Sequence, residues 1–157
     1  MAGTISEKQL KTIYMFNFAR FVKWPDAKAE SNTFQFCVYP ENDFGDILYQ
    51  LEKRQIKDKD IRIKVLNKIA DIQFCHVIFI DHISTEKLPQ VLKMAQNYHV
   101  LTMSDQHNFA EKGGMIQMFL DDKKIRFKIN YDSSQAALIK ISSKLIRLAT
   151  HVIKTIL

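Results

Sequence analysis

The side chains best able to carry out chemistry here are five histidines, two cysteines, and the hydroxyls and carboxylates at predicted strand ends. His76, His82, His99, His107 and His151 fall on different predicted elements, and no pair has the i, i+4 spacing with a glutamate that a helical zinc site uses. Ser104, Asp105 and His107 bring the residue types of a nucleophilic triad together. As sequence neighbours without a glycine-flanked nucleophile elbow, they read as loop residues after a strand. Cys75 and His76 are adjacent on a predicted strand and so point to opposite faces. Gly113-Gly114 has neither a third glycine nor a following Lys-Ser/Thr, which leaves a tight turn rather than a phosphate loop. These spacings imply no catalytic residue, no metal and no cofactor, and the expectation is a protein that is not an enzyme.

One constellation has a placement suited to reaction. In a doubly wound sheet, functional groups gather at the carboxyl ends of the strands. Those ends carry Glu41 and Asp43, then Asp81, then Thr102 and Ser104, with Lys128 on a later strand. A response-regulator receiver domain uses acids after its first strand, a phosphoacceptor aspartate after its third, a hydroxyl after its fourth and a lysine after its fifth. The alternative function on this pattern is a cytoplasmic receiver-like signalling domain. It would bind Mg²⁺ at Glu41, Asp43 and Asp81, be phosphorylated on Asp81, and keep its cysteines reduced. A receiver closes with a parallel fifth strand and a modest helix, whereas this chain predicts a hairpin and a long helix.

The elements that must position these groups follow from hydrophobic periodicity. Ser6 with Gln9 is a capping-box signature, and 5–23 runs without Gly or Pro until Trp24-Pro25, which predicts a first helix. Its apolar side chains wrap much of the circumference, so it needs burial on more than one side or a docked partner. A strand is predicted over 34–39, ended by Pro40, and Asp43 caps a helix with Phe44, Ile47, Leu48 and Leu51 on one face. The alternating 61–66 reads as a half-exposed strand and the apolar 74–80 as a central one. Ser84 caps a helix through Leu88, Val91, Leu92 and Ala95, and 100–103 is the next strand.

Beyond Gly113-Gly114 the segments 115–120 and 124–130 predict an antiparallel hairpin. The tract 133–156 predicts a long amphipathic helix. Leu138, Ile141, Leu145, Leu148 and Val152 form one ridge, Ile139, Ile146 and Ile153 a second, and basic residues cover the far side. The expected fold class is α/β: one domain over 1–157, a three-layer sandwich whose mostly parallel doubly wound sheet has an antiparallel edge hairpin and long terminal helices.

The 157 residues, 46% hydrophobic and 25% charged with 4 Gly and 3 Pro, exclude a collagenous, disordered or repeat protein. The net charge of +6 is uneven. From Lys123 onward eight basic residues face one acid, so that part carries +7 and the first 122 residues −1. Such asymmetry points to an anionic partner. No helix-turn-helix or RNA-recognition signature accompanies it, and nucleic acid is not the expected partner.

Several segments, taken together, resemble the YfiR family of small periplasmic regulatory proteins. They are the helix that ends in 14–25 (YMFNFARFVKWP), the strand cores Phe36-Cys37-Val38 and 75–80 (CHVIFI), and the 100–105 stretch (VLTMSD). Then come Phe109-Ala110, 113–116 (GGMI), 125–130 (IRFKIN), 138–145 (LIKISSKL) and Leu148-Ala149. They span nearly the whole chain in family order. Pro40 and Ala137 stand where the family commonly has glycine, and a second cysteine pair of some relatives is missing.

The resemblance implies a non-enzymatic periplasmic protein that binds the periplasmic sensor region of a membrane-anchored diguanylate cyclase and represses it. Release by a redox change or an outer-membrane lipoprotein would then raise cyclic-di-GMP and biofilm formation. It implies a mature exported chain whose signal peptide is not part of this sequence. In the periplasm disulfides persist. Cys37 and Cys75 fall on strands that neighbour each other in the flavodoxin-like order, and the resemblance favours an oxidised Cys37–Cys75 pair over two buried thiols. Apolar surface on the terminal helices nominates Arg20, Phe21, Trp24, Ile139, Ile146, His151 and Ile153 as partner-binding residues, on a patch suited to a homodimer. Trp24 has an equally simple place in the core.

Overall fold

The computed structural model describes residues 5–155. Helix α1 (Glu7–Arg20) starts where the sequence places it, because Ser6 and Gln9 close a reciprocal capping box. It ends before the expected Lys23, since β1 (Val22–Lys23) turns extended and pairs with a strand from the far end of the chain. A single turn, α2 (Asp26–Ala29), follows Pro25 and leads into β2 (Thr33–Tyr39). Asp43 does not cap the next helix. Asn42 Oδ1 accepts from the Phe44 N–H, Gly45 takes a left-handed conformation at φ +61, and α3 (Asp46–Tyr49) begins there.

The chain then forms β3 (Gln55–Ile56), β4 (Lys59–Val65), a 3-10 turn (Ile69–Phe74), β5 (Val77–Ile80), α4 (Leu88–Asn97) and β6 (Leu101–Ser104). The hairpin of β7 (Ile116–Asp121) and β8 (Lys124–Asn130) follows as expected. The eight-stranded sheet runs from a last strand, His151–Ile153, through β8-β7-β6-β5-β2-β4-β3 and is parallel from β4 through to β7. Its run β4-β2-β5-β6 is the doubly wound 2-1-3-4 order.

Alternation along the central strands builds a core on each side of the sheet. Phe34, Phe36 and Val38 of β2 and Val77 and Phe79 of β5 pack beneath Met15, Phe18 and Ala19 of α1. The opposite phase, Cys37, Tyr39, Ile78 and Ile80, meets Leu88, Val91 and Ala95 of α4. Cys37 and Cys75 are disulfide-bonded in this second core, with Cα atoms 6.0 Å apart, and both are fully buried. Closing a loop between residues 38 apart stabilises the fold by roughly 4 kcal/mol in the chain-entropy model.

The C-terminal tract is the main departure from expectation. The long helix over 133–156 does not form. The segment divides into α5 (Tyr131–Ala136), β9 (Lys140–Ile141), α6 (Ser143–Leu148) and β10 (His151–Ile153). Leu138 is left-handed at φ +59, and the Ile139 N–H reaches back to the Ser134 carbonyl, which closes α5 with a Schellman-type bond. The Ser142 N–H then donates to the Phe21 carbonyl as β9 pairs with β1, and β10 adds a parallel strand to β8. Backbone groups that one helix would have satisfied internally instead complete a small sheet and extend the large one. Ile139, Ile146 and Ile153 therefore share no helical ridge.

Candidate functional site

Two regions contain most of the residues singled out by the sequence. At the carboxyl ends of the strands, a cavity of about 260 Å³ is lined by Glu7 and Lys8 of α1, Asp43 and Phe44 after β2, Phe79, Asp81 and His82 at the end of β5, and Asp105 after β6. Asp81 is 3% exposed, and its Oδ2 has no hydrogen-bond partner among the described residues. His82, exposed and held at φ +45, places Nε2 3.1 Å from Asp81 Oδ1 and 3.3 Å from Asp43 Oδ2. Burial pushes the Asp81 carboxyl up to about 6; His82 opposes that shift, and the Asp43 and Asp105 carboxylates add to it.

A cation does enter this end of the sheet, but from helix α1. Lys11 Nζ lies 2.6 Å from Asp105 Oδ2 and 2.8 Å from Glu7 Oε2. Burial disfavours the Lys11 charge, yet hydrogen bonds to Asp105 and Glu7 outweigh it, and its pKa stands above the ordinary lysine value. Sequence reasoning missed Lys11; its signal was a lysine beside Leu10 and Thr12 on a helix too apolar to leave that position in water.

The receiver pattern is assembled only in part. Asp43 and Asp81 come together, but Lys128 bonds Glu111 Oε1 at 2.7 Å on the exposed hairpin. Thr102 Oγ1 accepts from the Met115 N–H, and Ser104 Oγ donates to the Ile80 carbonyl, so both hydroxyls serve the backbone. The Cys37–Cys75 disulfide is the opposite of the reduced pair this alternative requires.

The second region is the surface around β1, β9 and α6. Arg20 and Phe21 are exposed at the end of α1, with the Arg20 guanidinium over the Phe16 ring. They line a groove of about 380 Å³ with Lys23, Lys57, Lys140, Ser142 and Ser143, and among the described residues no carboxylate lines it. Partial burial, then the Lys23 charge, pushes the Lys57 ammonium below its usual range. A neighbouring groove shares Lys140, Ser142 and Ser143 and continues past Leu138, which is 66% exposed, to Ile146.

Trp24 and Ile139 lie elsewhere. Trp24 is buried, stacks edge-on against Phe34, and donates Nε1 to the His76 carbonyl at 3.0 Å. Ile139 is 1% exposed within the α1-side core. His151 is exposed and Ile153 half-buried on β10, at the edge of the large sheet. No helix among the described residues is long and apolar enough to cross a membrane.

The family model described as YfiR/HmsC-like matches residues 8–150. The chain belongs to the YfiR/HmsC-like family. The match runs from the first turn of α1 to the residue before β10, so it takes in both regions described above except Glu7. No curated protein matches the sequence.

Among solved structures, a conserved domain protein from Vibrio cholerae O1 biovar El Tor superposes with a TM-score of 0.63 at 13% identity, covering 94% of this chain and 60% of that one. The ABC domain from Streptococcus pneumoniae, solved in complex with L-Trp, gives a TM-score of 0.58 at 11% identity, covering 93% and 60%. These identities show a shared fold alone. The chain spans about 60% of the length of each of these two structures.

Proposed function

We propose that this YfiR/HmsC-like protein is a non-enzymatic periplasmic regulator that binds the periplasmic sensor region of a membrane-anchored diguanylate cyclase and holds it repressed. The observation that carries this reading is the family match over residues 8–150. The disulfide supports it, since structural disulfides persist in the periplasm and are rare in the cytosol. In this reading the protein works as a homodimer and is released by an outer-membrane lipoprotein or a redox change, whereupon cyclic-di-GMP and biofilm formation rise.

The cyclase-facing surface is assigned to Arg20, Phe21 and Ile146, with His151 and Ile153 at the adjoining sheet edge. Trp24 and Ile139 act from beneath it as core residues. Arg20 supplies a guanidinium, a type enriched at interface hot spots, and Phe21 an exposed ring of a type enriched at interfaces. The acid-free basic groove beside them suits a partner segment that carries carboxylates.

The test is a deletion strain in which cellular cyclic-di-GMP is measured, complemented with the wild-type gene or with Phe21→Glu. Deletion raises cyclic-di-GMP and biofilm mass, the wild type restores both, and Phe21→Glu restores neither while accumulating as folded protein. Unchanged cyclic-di-GMP in the deletion strain overturns the reading. Full rescue by Phe21→Glu removes this surface from it.

A further inference from the structure

Asp43, Asp81 and His82 converge from two strand ends: Asp43 from the loop after β2, Asp81 and His82 from the end of β5. Among the described residues, this is the one group of three such side chains whose ligand atoms all lie within 4.8 Å of one another. Ligand atoms at about 2.0–2.1 Å from a tetrahedral zinc ion stand roughly 3.3 Å apart. His82 Nε2 lies 3.1 Å from Asp81 Oδ1 and 3.3 Å from Asp43 Oδ2, close to that spacing.

The independent observation is the second oxygen of Asp81. The side chain is 4% exposed and lines the cavity, and among the described residues its Oδ2 meets no donor. A buried carboxylate oxygen without a partner is costly, and a metal ion in the cavity would satisfy it. The nearby ammonium groups do not: Lys8 Nζ bonds the Asp43 backbone carbonyl, and Lys11 Nζ is held by Glu7 and Asp105. The cavity lining and Lys11 together contribute two more carboxylates than ammonium groups, so the local field favours a cation.

We infer that Asp43, Asp81 and His82 form a binding site for a divalent transition metal ion of the zinc class. Two carboxylates with one imidazole make a mixed O/N donor set that suits such an ion better than Mg²⁺ or Ca²⁺, which prefer oxygen alone. Three protein ligands leave the fourth position to water or to a group brought by another molecule. The site joins the β2 and β5 ends next to the start of α1, so its occupancy would brace that end of the sheet.

The experiment is a calorimetric titration of ZnCl2 into the untagged, EDTA-stripped full chain at pH 7.4, repeated with MgCl2. Asp81→Asn, nearly isosteric, removes the buried ligand charge. His82→Gly removes the imidazole and suits the left-handed backbone at that exposed position. Far-ultraviolet circular dichroism and Trp24 emission check that both variants fold.

Zinc binds one to one to the wild type, each substitution weakens binding by at least the roughly 10- to 100-fold that loss of even an outer-shell partner brings, and His151→Ala leaves it unchanged. Magnesium neither binds nor competes. The inference is overturned by absence of zinc binding to the wild type, by wild-type affinity in folded His82→Gly, or by loss of binding in His151→Ala. A site that prefers magnesium overturns it as well. None of these outcomes bears on cyclase repression, which is read in cells.

Discussion

The His76 imidazole should make this fold acid-labile in a defined window. His76 is 3% exposed, lies flat against Phe34 at 4.8 Å between ring centroids, and meets Trp24 edge-on. Its Nδ1 accepts from the Gln35 N–H at 3.0 Å, so the proton sits on Nε2 and is donated to the Lys28 carbonyl at 2.9 Å. The ring is therefore satisfied as the neutral tautomer. A second proton would have to enter where the Gln35 N–H already points.

Burial is the main cause that lowers the His76 pKa from 6.5 to about 4; the bond to Lys28 opposes the shift, and the Lys28 and Lys59 charges add to it. Between those values the unfolded chain binds a proton that the native chain refuses. Stability is thus fully present above pH 6.5 and is lost as the pH falls toward 4. Moving the His76 pKa from 6.5 to about 4 corresponds to roughly 3 kcal/mol.

The perturbation is His76→Gln, which keeps an acceptor for Gln35 and a donor for Lys28 but cannot titrate. Urea unfolding would be followed through Trp24, the one tryptophan of the chain, at pH 7.5, 6, 5 and 4. The difference in unfolding free energy between wild type and variant isolates His76 from every other titrating group. It should move in the variant's favour by roughly 3 kcal/mol from the first pH to the last. A difference that stays flat within about 0.5 kcal/mol refutes the reasoning, because additive distant effects should cancel to that level.

Asp81 gives a trend of opposite sign. Its native pKa of about 6 exceeds the 3.8 of the unfolded chain, so its ionisation costs stability as the pH rises through that interval. In EDTA, Asp81→Asn should gain up to about 3 kcal/mol above pH 7 and nothing below pH 4, read by thermal melts across pH; equal melting curves at high pH contradict this. Gly114→Ala should lower the melting temperature, because a Cβ there would stand 2.1 Å from the fully buried Phe109 ring. Overpacking of this kind costs about 1–3 kcal/mol. Phe109→Leu added to Gly114→Ala should recover part of the loss, and an unchanged melt for the single variant would show that the ring yields freely.

Much of the architecture was legible because local signals agreed with one another. The capping box at Ser6 and Gln9, the β-prone β2, the alternating β4, the apolar β5 and the tight hairpin after Gly113-Gly114 each required one conformation. Their succession then required a mostly parallel sheet, covered on both faces. The end of α1 and the whole C-terminal tract were not determined in this way. An isoleucine-rich stretch such as 138–153 satisfies a period of 3.6 and, over short pieces, a period of 2. The choice fell to distant partners: β1 offers pairing to Lys140 and Ile141, and β8 has a free edge for 151–153.

The two regions with functional candidates divide along the same line. The sequence alone put carboxylates at strand ends, the two cysteines on neighbouring strands, and a basic excess toward the C-terminus. Tertiary structure placed Lys11 over Asp105, turned the Thr102 and Ser104 hydroxyls into backbone supports, and set His82 between Asp43 and Asp81. Asp43 and Asp81, 38 positions apart, meet there only because the parallel strands β2 and β5 align their ends. Alignment of that kind depends on sheet order and register, which no local window of sequence contains.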